Sequence, residues 1–114
     1  MKSSITTHIL DTSKGRPAVG VSVRLQRKQL DGTWQELSRG TTNEDGRITD
    51  LLPLESTLQG SDFRLVFETG EYFRRAGVEA FYPFVTVEFS TKDENHYHVP
   101  LLLSPYGYTT YRGS

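Results

Sequence analysis

The sequence predicts an all-β sandwich with one short helix. Short runs alternate apolar and polar residues with period two, turn residues separate those runs, and one central segment loses the alternation. A chain of 114 residues is long enough for one hydrophobic core and too short for two, so residues 1–114 are read as a single domain.

Ile5 to Leu10 is β-branched and reads as the first strand; Asp11 to Gly20, with Gly15 and Pro17, reads as a loop. Val21, Val23 and Leu25 alternate with Ser22, Arg24 and Gln26, the pattern of a strand with one wet face. Asp31-Gly32 is a hairpin signal leading into Trp34 to Thr42, and Asp45-Gly46 turns the chain towards Arg47 and Ile48. Phe63, Leu65 and Phe67 mark the next strand. Glu71 to Ala76, charged and flanked by Gly70 and Gly77, is the predicted helix. Strands resume at Val85 to Phe89, His96 to Leu103 and Tyr106 to Tyr111, with Ser104-Pro105 between the last two. Pro100 has no N–H to donate, so its position is expected to be an edge or a bulge. Periodicity establishes the sandwich but does not choose its topology.

Composition narrows the function classes. With no cysteine, the chain has no disulfide, no thiolate metal site and no cysteine nucleophile. Thirteen basic and fourteen acidic side chains give a formal charge of −1, which offers no footprint for nucleic acid or an anionic membrane. No apolar run is long enough for a transmembrane helix, and Met1 to Ile5 lacks the apolar stretch of a signal peptide. The expected compartment is the cytoplasm (or the periplasm, if a leader preceded this sequence and was removed).

Candidate chemistry rests on few residues. His96 and His98 are two apart and share one face of a strand, while His8 lies on another strand. Three imidazoles are compatible with zinc, with acid–base catalysis, or with purely local hydrogen bonding. Arg47, fixed after a tight turn, suits an anion clamp or simply a solvated surface. Tyr106, Tyr108 and Tyr111 give the C-terminal segment β-propensity where chain ends usually fray, so Arg112 and Ser114 are either held in place or loose.

The stretch from His96 to Ser114, ending in Tyr111-Arg112-Gly113-Ser114, resembles the C-terminal signature of the 5-hydroxyisourate hydrolases of the transthyretin-like family. Thr7-His8-Ile9-Leu10-Asp11, Gly15-Arg16-Pro17-Ala18, Thr41 to Arg47, and Phe81-Tyr82-Pro83 are similar as well, in order along essentially the whole chain. The resemblance implies a transthyretin-like (prealbumin-like) sandwich of two four-stranded sheets with a short helix after the fifth strand. It also implies a homotetramer, a dimer of dimers with sites at the dimer–dimer interface. The implied activity is that of a cyclic amide hydrolase acting on 5-hydroxyisourate in urate degradation, with no metal, no cofactor and no covalent intermediate.

Carried onto this sequence, the catalytic residues are His8, Arg47, His98 and Ser114, and the substrate-binding residues are His8, Arg47, Tyr111 and Arg112. His96 falls outside that set and is expected to play a supporting role. Three rivals remain at this point: a hormone carrier on the same fold, a zinc hydrolase using His8, His96 and His98, and a structural or interaction module.

Overall fold

The computed structural model describes residues 4–53, 56, 58, 60–93 and 95–114, so the Met1 to Ser3 part of the N-terminal reading lies outside them. Two sheets face each other across one core. In the first, β1 (Ile5–Asp11) runs parallel to β8 (Tyr97–Ser104), and β8 pairs antiparallel with β9 (Gly107–Thr110). The outer edge of β1 is shared by two short strands, β2 (Arg16–Pro17) and β5 (Arg47–Ile48). The expected four-stranded sheet is therefore four positions wide, one of them split. The second sheet has the order β4-β3-β6-β7, from β3 (Ser22–Lys28), β4 (Trp34–Thr41), β6 (Asp62–Phe67) and β7 (Val85–Ser90), all antiparallel.

Alternation sets the inward faces. Ile5 and Ile9 on β1, Val23 and Leu25 on β3, Phe63, Leu65 and Phe67 on β6, and Val99, Leu101 and Leu103 on β8 are all buried between the sheets. Two polar residues share the inward face of β1, and each is bonded as burial requires. The Thr7 hydroxyl donates to the Val99 carbonyl at 2.6 Å. The Asp11 carboxylate accepts from the Ser13 hydroxyl at 2.6 Å, the Ser13 amide at 3.0 Å and the Tyr72 hydroxyl at 2.8 Å.

Tyr72 belongs to α1 (Thr69–Arg75), which starts two residues before the predicted helix. It buries Thr69 and Phe73 against the sandwich and exposes an ion pair between Glu71 and Arg74. Its end is closed by Gly77 N–H to Arg74 O at 3.1 Å and Val78 N–H to Phe73 O at 2.9 Å. The helix follows β6, the fifth strand only if one of the two-residue strands is left uncounted.

The expectation for Pro100 needs correction. It lies on β8, an inner strand, beside His8 of β1. The β8–β9 ladder runs from Ser104↔Gly107 to Leu101↔Thr110, lapses opposite Pro100, and resumes in the same register as a bridge between His98 and Gly113. A proline is accommodated here because the missing N–H costs one rung of a ladder that already spans several others.

Candidate active site

The outward face of the first sheet carries the candidate residues. Register fixes their neighbours: on β1 and β8, Thr6 stands beside His98 and His8 beside Pro100, and across β5 His8 faces Arg47. The first and eighth strands must therefore lie parallel and adjacent for His8 and His98 to share a surface.

Arg47 is delivered by a closely built turn. The Asn43 side-chain oxygen accepts from the amides of Asp45 at 2.9 Å and Arg47 at 3.0 Å, and Gly46 N–H reaches Asn43 O at 2.9 Å. Gly46 has φ +72°, and a Cβ there would stand 2.5 Å from the Ile9 carbonyl oxygen. Only glycine lets the turn lie this close to β1, where the Gly46 carbonyl accepts from Ile9 N–H at 2.8 Å.

His8 is half-buried, and burial followed by the Arg47 charge pulls its pKa below the usual histidine value of 6.5. A hydrogen bond to the Asp45 backbone and the Asp45 charge oppose this without overturning it. At neutral pH the His8 ring is therefore held in its neutral form.

His98 is fixed on two sides. Its Nδ1 lies 2.8 Å from the Thr6 hydroxyl, which also lies 3.1 Å from Nε2 of His96. The two rings stack with centroids 6.4 Å apart. On the other side, Gly113 N–H donates to the His98 carbonyl at 2.8 Å, and a Cβ on Gly113 would stand 2.6 Å from Cδ2 of His98. The glycine thus lets the tail lie directly against the imidazole and brings Ser114 with it.

Arg47, Thr49, His96, His98, Thr6 and Ser114 line a cavity of about 70 Å³. His8 adjoins Arg47 on the same face but is outside this lining. Tyr111 and Arg112 line a different cavity, of about 310 Å³, with Val87, Phe89, Tyr97 and again His98. There the Arg112 guanidinium sits 4.5 Å from the centre of the Tyr97 ring, and Tyr111 is 56% exposed.

The structure thus brings Arg47, His98 and Ser114 together, with His8 beside them, and places Tyr111 and Arg112 in the lining of a second cavity that His98 also borders. Among the described residues, no three His, Asp or Glu side chains form a group able to hold a metal ion. Thr6 and Thr49 were not anticipated from sequence. Thr6 carries a weak signal, since it lies two residues before His8 and shares its face, but only the parallel pairing with β8 sets it against His98.

Comparison with known proteins separates the fold from the site. A transthyretin from sea bream, solved with thyroxine, matches with a TM-score of 0.90 and 32% identity, covering 96% of this chain and 94% of that one. The 5-hydroxyisourate hydrolase of Klebsiella pneumoniae matches with a TM-score of 0.84 and 39% identity, covering 96% and 98%. A 5-hydroxyisourate hydrolase of Salmonella typhimurium is 49% identical over 111 residues, 96% of this chain and 80% of that protein. Backbone shape fits carrier and hydrolase alike, whereas identity is higher with the hydrolases. Residues 5–113 match the profile described as "Transthyretin: HIUase/Transthyretin family", and the chain belongs to that family.

Proposed function

We propose that this chain hydrolyses 5-hydroxyisourate, opening its six-membered ring to give 2-oxo-4-hydroxy-4-carboxy-5-ureidoimidazoline in urate degradation. One observation carries the proposal: Arg47, His98 and Ser114, distant in sequence, converge on one small polar cavity beside a neutral His8. A carrier for an apolar hormone calls for mostly apolar walls, and these residues do not supply them.

In this reading water attacks the ring carbonyl while a neutral imidazole, His98 or His8, takes its proton. The Arg47 guanidinium holds the anionic ring and stabilises the charge developing on the carbonyl oxygen, an effect of about 3–4 kcal/mol for one well-aimed donor. The C–N bond then breaks, and the proton returns from the imidazole to the departing nitrogen. Ser114 orients the water or a histidine, Tyr111 contacts the substrate, and Arg112 anchors the tail through its stacking on Tyr97. No metal and no covalent intermediate is part of the scheme, so the rate should survive exhaustive chelation.

A cavity of about 70 Å³ is far below the roughly 300 Å³ at which small-molecule sites begin. The proposed homotetramer, a dimer of dimers, supplies the missing wall from a facing subunit, and the site lies at the dimer–dimer interface. No helix among the described residues is long and apolar enough to cross a membrane; the proposed compartment is the cytoplasm. The test is optical. Purified protein should accelerate the decay of the near-ultraviolet absorbance of 5-hydroxyisourate made in situ from urate, and a decay no faster than in buffer refutes the proposal.

A further inference from the structure

The Thr6 hydroxyl lies within hydrogen-bond distance of two imidazole nitrogens at once, Nδ1 of His98 at 2.8 Å and Nε2 of His96 at 3.1 Å. Thr6 is 3% exposed, so the hydroxyl is shielded from bulk water, while His98 is half-buried and His96 exposed. A hydroxyl has one proton to give and lone pairs to receive with, so it can accept from one ring and donate to the other. Its orientation therefore links the tautomers of the two histidines.

We propose that Thr6 is a positioning residue that sets the tautomer of His98, accepting from Nδ1–H and donating its own proton to Nε2 of His96. This rests on the hydrolase reading in which His98 is the base. With Nδ1 engaged by Thr6, the ring accepts the water proton at Nε2, and Nε2 carries a lone pair only if the proton of the neutral ring sits on Nδ1. Such an arrangement also survives turnover. When Nε2 takes the proton, the imidazolium still donates Nδ1–H to the same oxygen, and no hydrogen bond has to be exchanged during the reaction. In the reverse arrangement Thr6 would donate to Nδ1, Nε2 would already hold a proton, and the ring could not act as a base. His96 thus acquires a defined task, as the acceptor that keeps the Thr6 proton turned away from His98.

The test reads the tautomer directly. Two-bond proton–nitrogen correlation spectra of the full-length protein with labelled histidine should show His98 protonated at Nδ1 in the neutral state. Thr6→Val, close in shape and lacking the hydroxyl, should shift His98 towards a tautomer mixture and lower kcat about tenfold or more, with KM little changed. Thr6→Ser restores the hydroxyl and should recover the Nδ1–H signature and most of the rate. If Thr6→Val folds poorly, His96→Phe removes the acceptor from the other end and should loosen the same signature.

A wild-type His98 protonated at Nε2 overturns the inference, as does a Thr6→Val protein with unchanged spectrum and rate. A wild-type protein without hydrolase activity that still shows the Nδ1–H signature defeats the functional reading instead, so the two failures are distinguishable.

Discussion

Replacing Gly113 with alanine tests whether the tail is part of the working site. The new Cβ would stand 2.6 Å from Cδ2 of His98 and 3.1 Å from Cγ of Pro100. Carbon atoms rest about 3.5–4.0 Å apart, so the ring contact is short by roughly 1 Å. Keeping the tail in place would mean overpacking at about 1–3 kcal/mol. Releasing it sacrifices chiefly the Gly113 N–H to His98 O bond, worth about 0.5–1.5 kcal/mol. Release is the cheaper route, which caps the loss of stability at about 1.5 kcal/mol and the fall in Tm at roughly 6 °C.

The effect on rate should be much larger, because Ser114 leaves the cavity and His98 loses one of its two supports. A misplacement of about 1 Å in a catalytic group can cost roughly 100-fold. Parallel thermal melts and ultraviolet assays should therefore show a folded protein with turnover reduced by about that factor. A Gly113→Ala protein as active as the wild type, or one whose activity falls only with its folded fraction, would refute the ordered-tail reasoning.

Arg47→Ala should lower kcat/KM by about 100- to 1,000-fold and change unfolding free energy by no more than about 0.5 kcal/mol, since the side chain is exposed; comparable losses in both would make Arg47 structural. Asp11→Ala removes a buried carboxylate holding Ser13 and Tyr72, and urea titration should show a loss of about 2–4 kcal/mol. Although burial pushes the Asp11 pKa up, the hydrogen bonds from Ser13, Tyr72 and Lys14 outweigh it and hold the group below 3.8. Its contribution is therefore present above that pH and lost as pH falls through the lower folded value, and an acid-unfolding midpoint unchanged in Asp11→Ala would contradict this. His8 titrates below 6.5 in the fold, so the unfolded chain binds its proton first and stability drains away as pH falls from 6.5 through the folded pKa. His8→Gln should flatten the fall of Tm across that window; parallel Tm curves for variant and wild type would exclude the shift.

Most strands were legible because each element signals itself locally. The alternation of Phe63, Leu65 and Phe67, or of Val23 and Leu25, encodes a face to bury, and Asp45-Gly46 encodes a turn. The helix starts two residues earlier than the sequence predicts because Gly70 reads as a flank, while the true N-cap, Glu68, makes no side-chain cap. Pairing partners were not legible. Nothing in Ile5 to Asp11 says that it lies parallel to a strand some ninety residues later, and that long-range choice alone puts Thr6 against His98. Pro100 was misplaced for the same reason: the local rule against proline in a ladder is real, but whether the strand is inner or edge is decided by topology.

The candidate site divides along the same line. His8, Arg47, His98 and Ser114 were named from motifs, and their gathering on one face follows from register. Thr6 and Thr49 belong to no motif, and the steric role of Gly113, a residue of the terminal motif, emerges only from its distance to His98. Tyr111 and Arg112 belong with Ser114 to one terminal motif, yet within one chain these two line the neighbouring cavity while Ser114 lines the smaller one.

The central claim is that one cavity, framed by Arg47, His98 and Ser114 and completed by a facing subunit, grips the anionic ring. A crystal structure of the assembled protein with a non-hydrolysable urate analogue tests it most directly. The account predicts the analogue in contact with the Arg47 guanidinium and Nε2 of His98, with His8 and Ser114 at its border. An analogue seated elsewhere, with His8, His98 and Arg47 opening onto separate cavities in the full assembly, would contradict it.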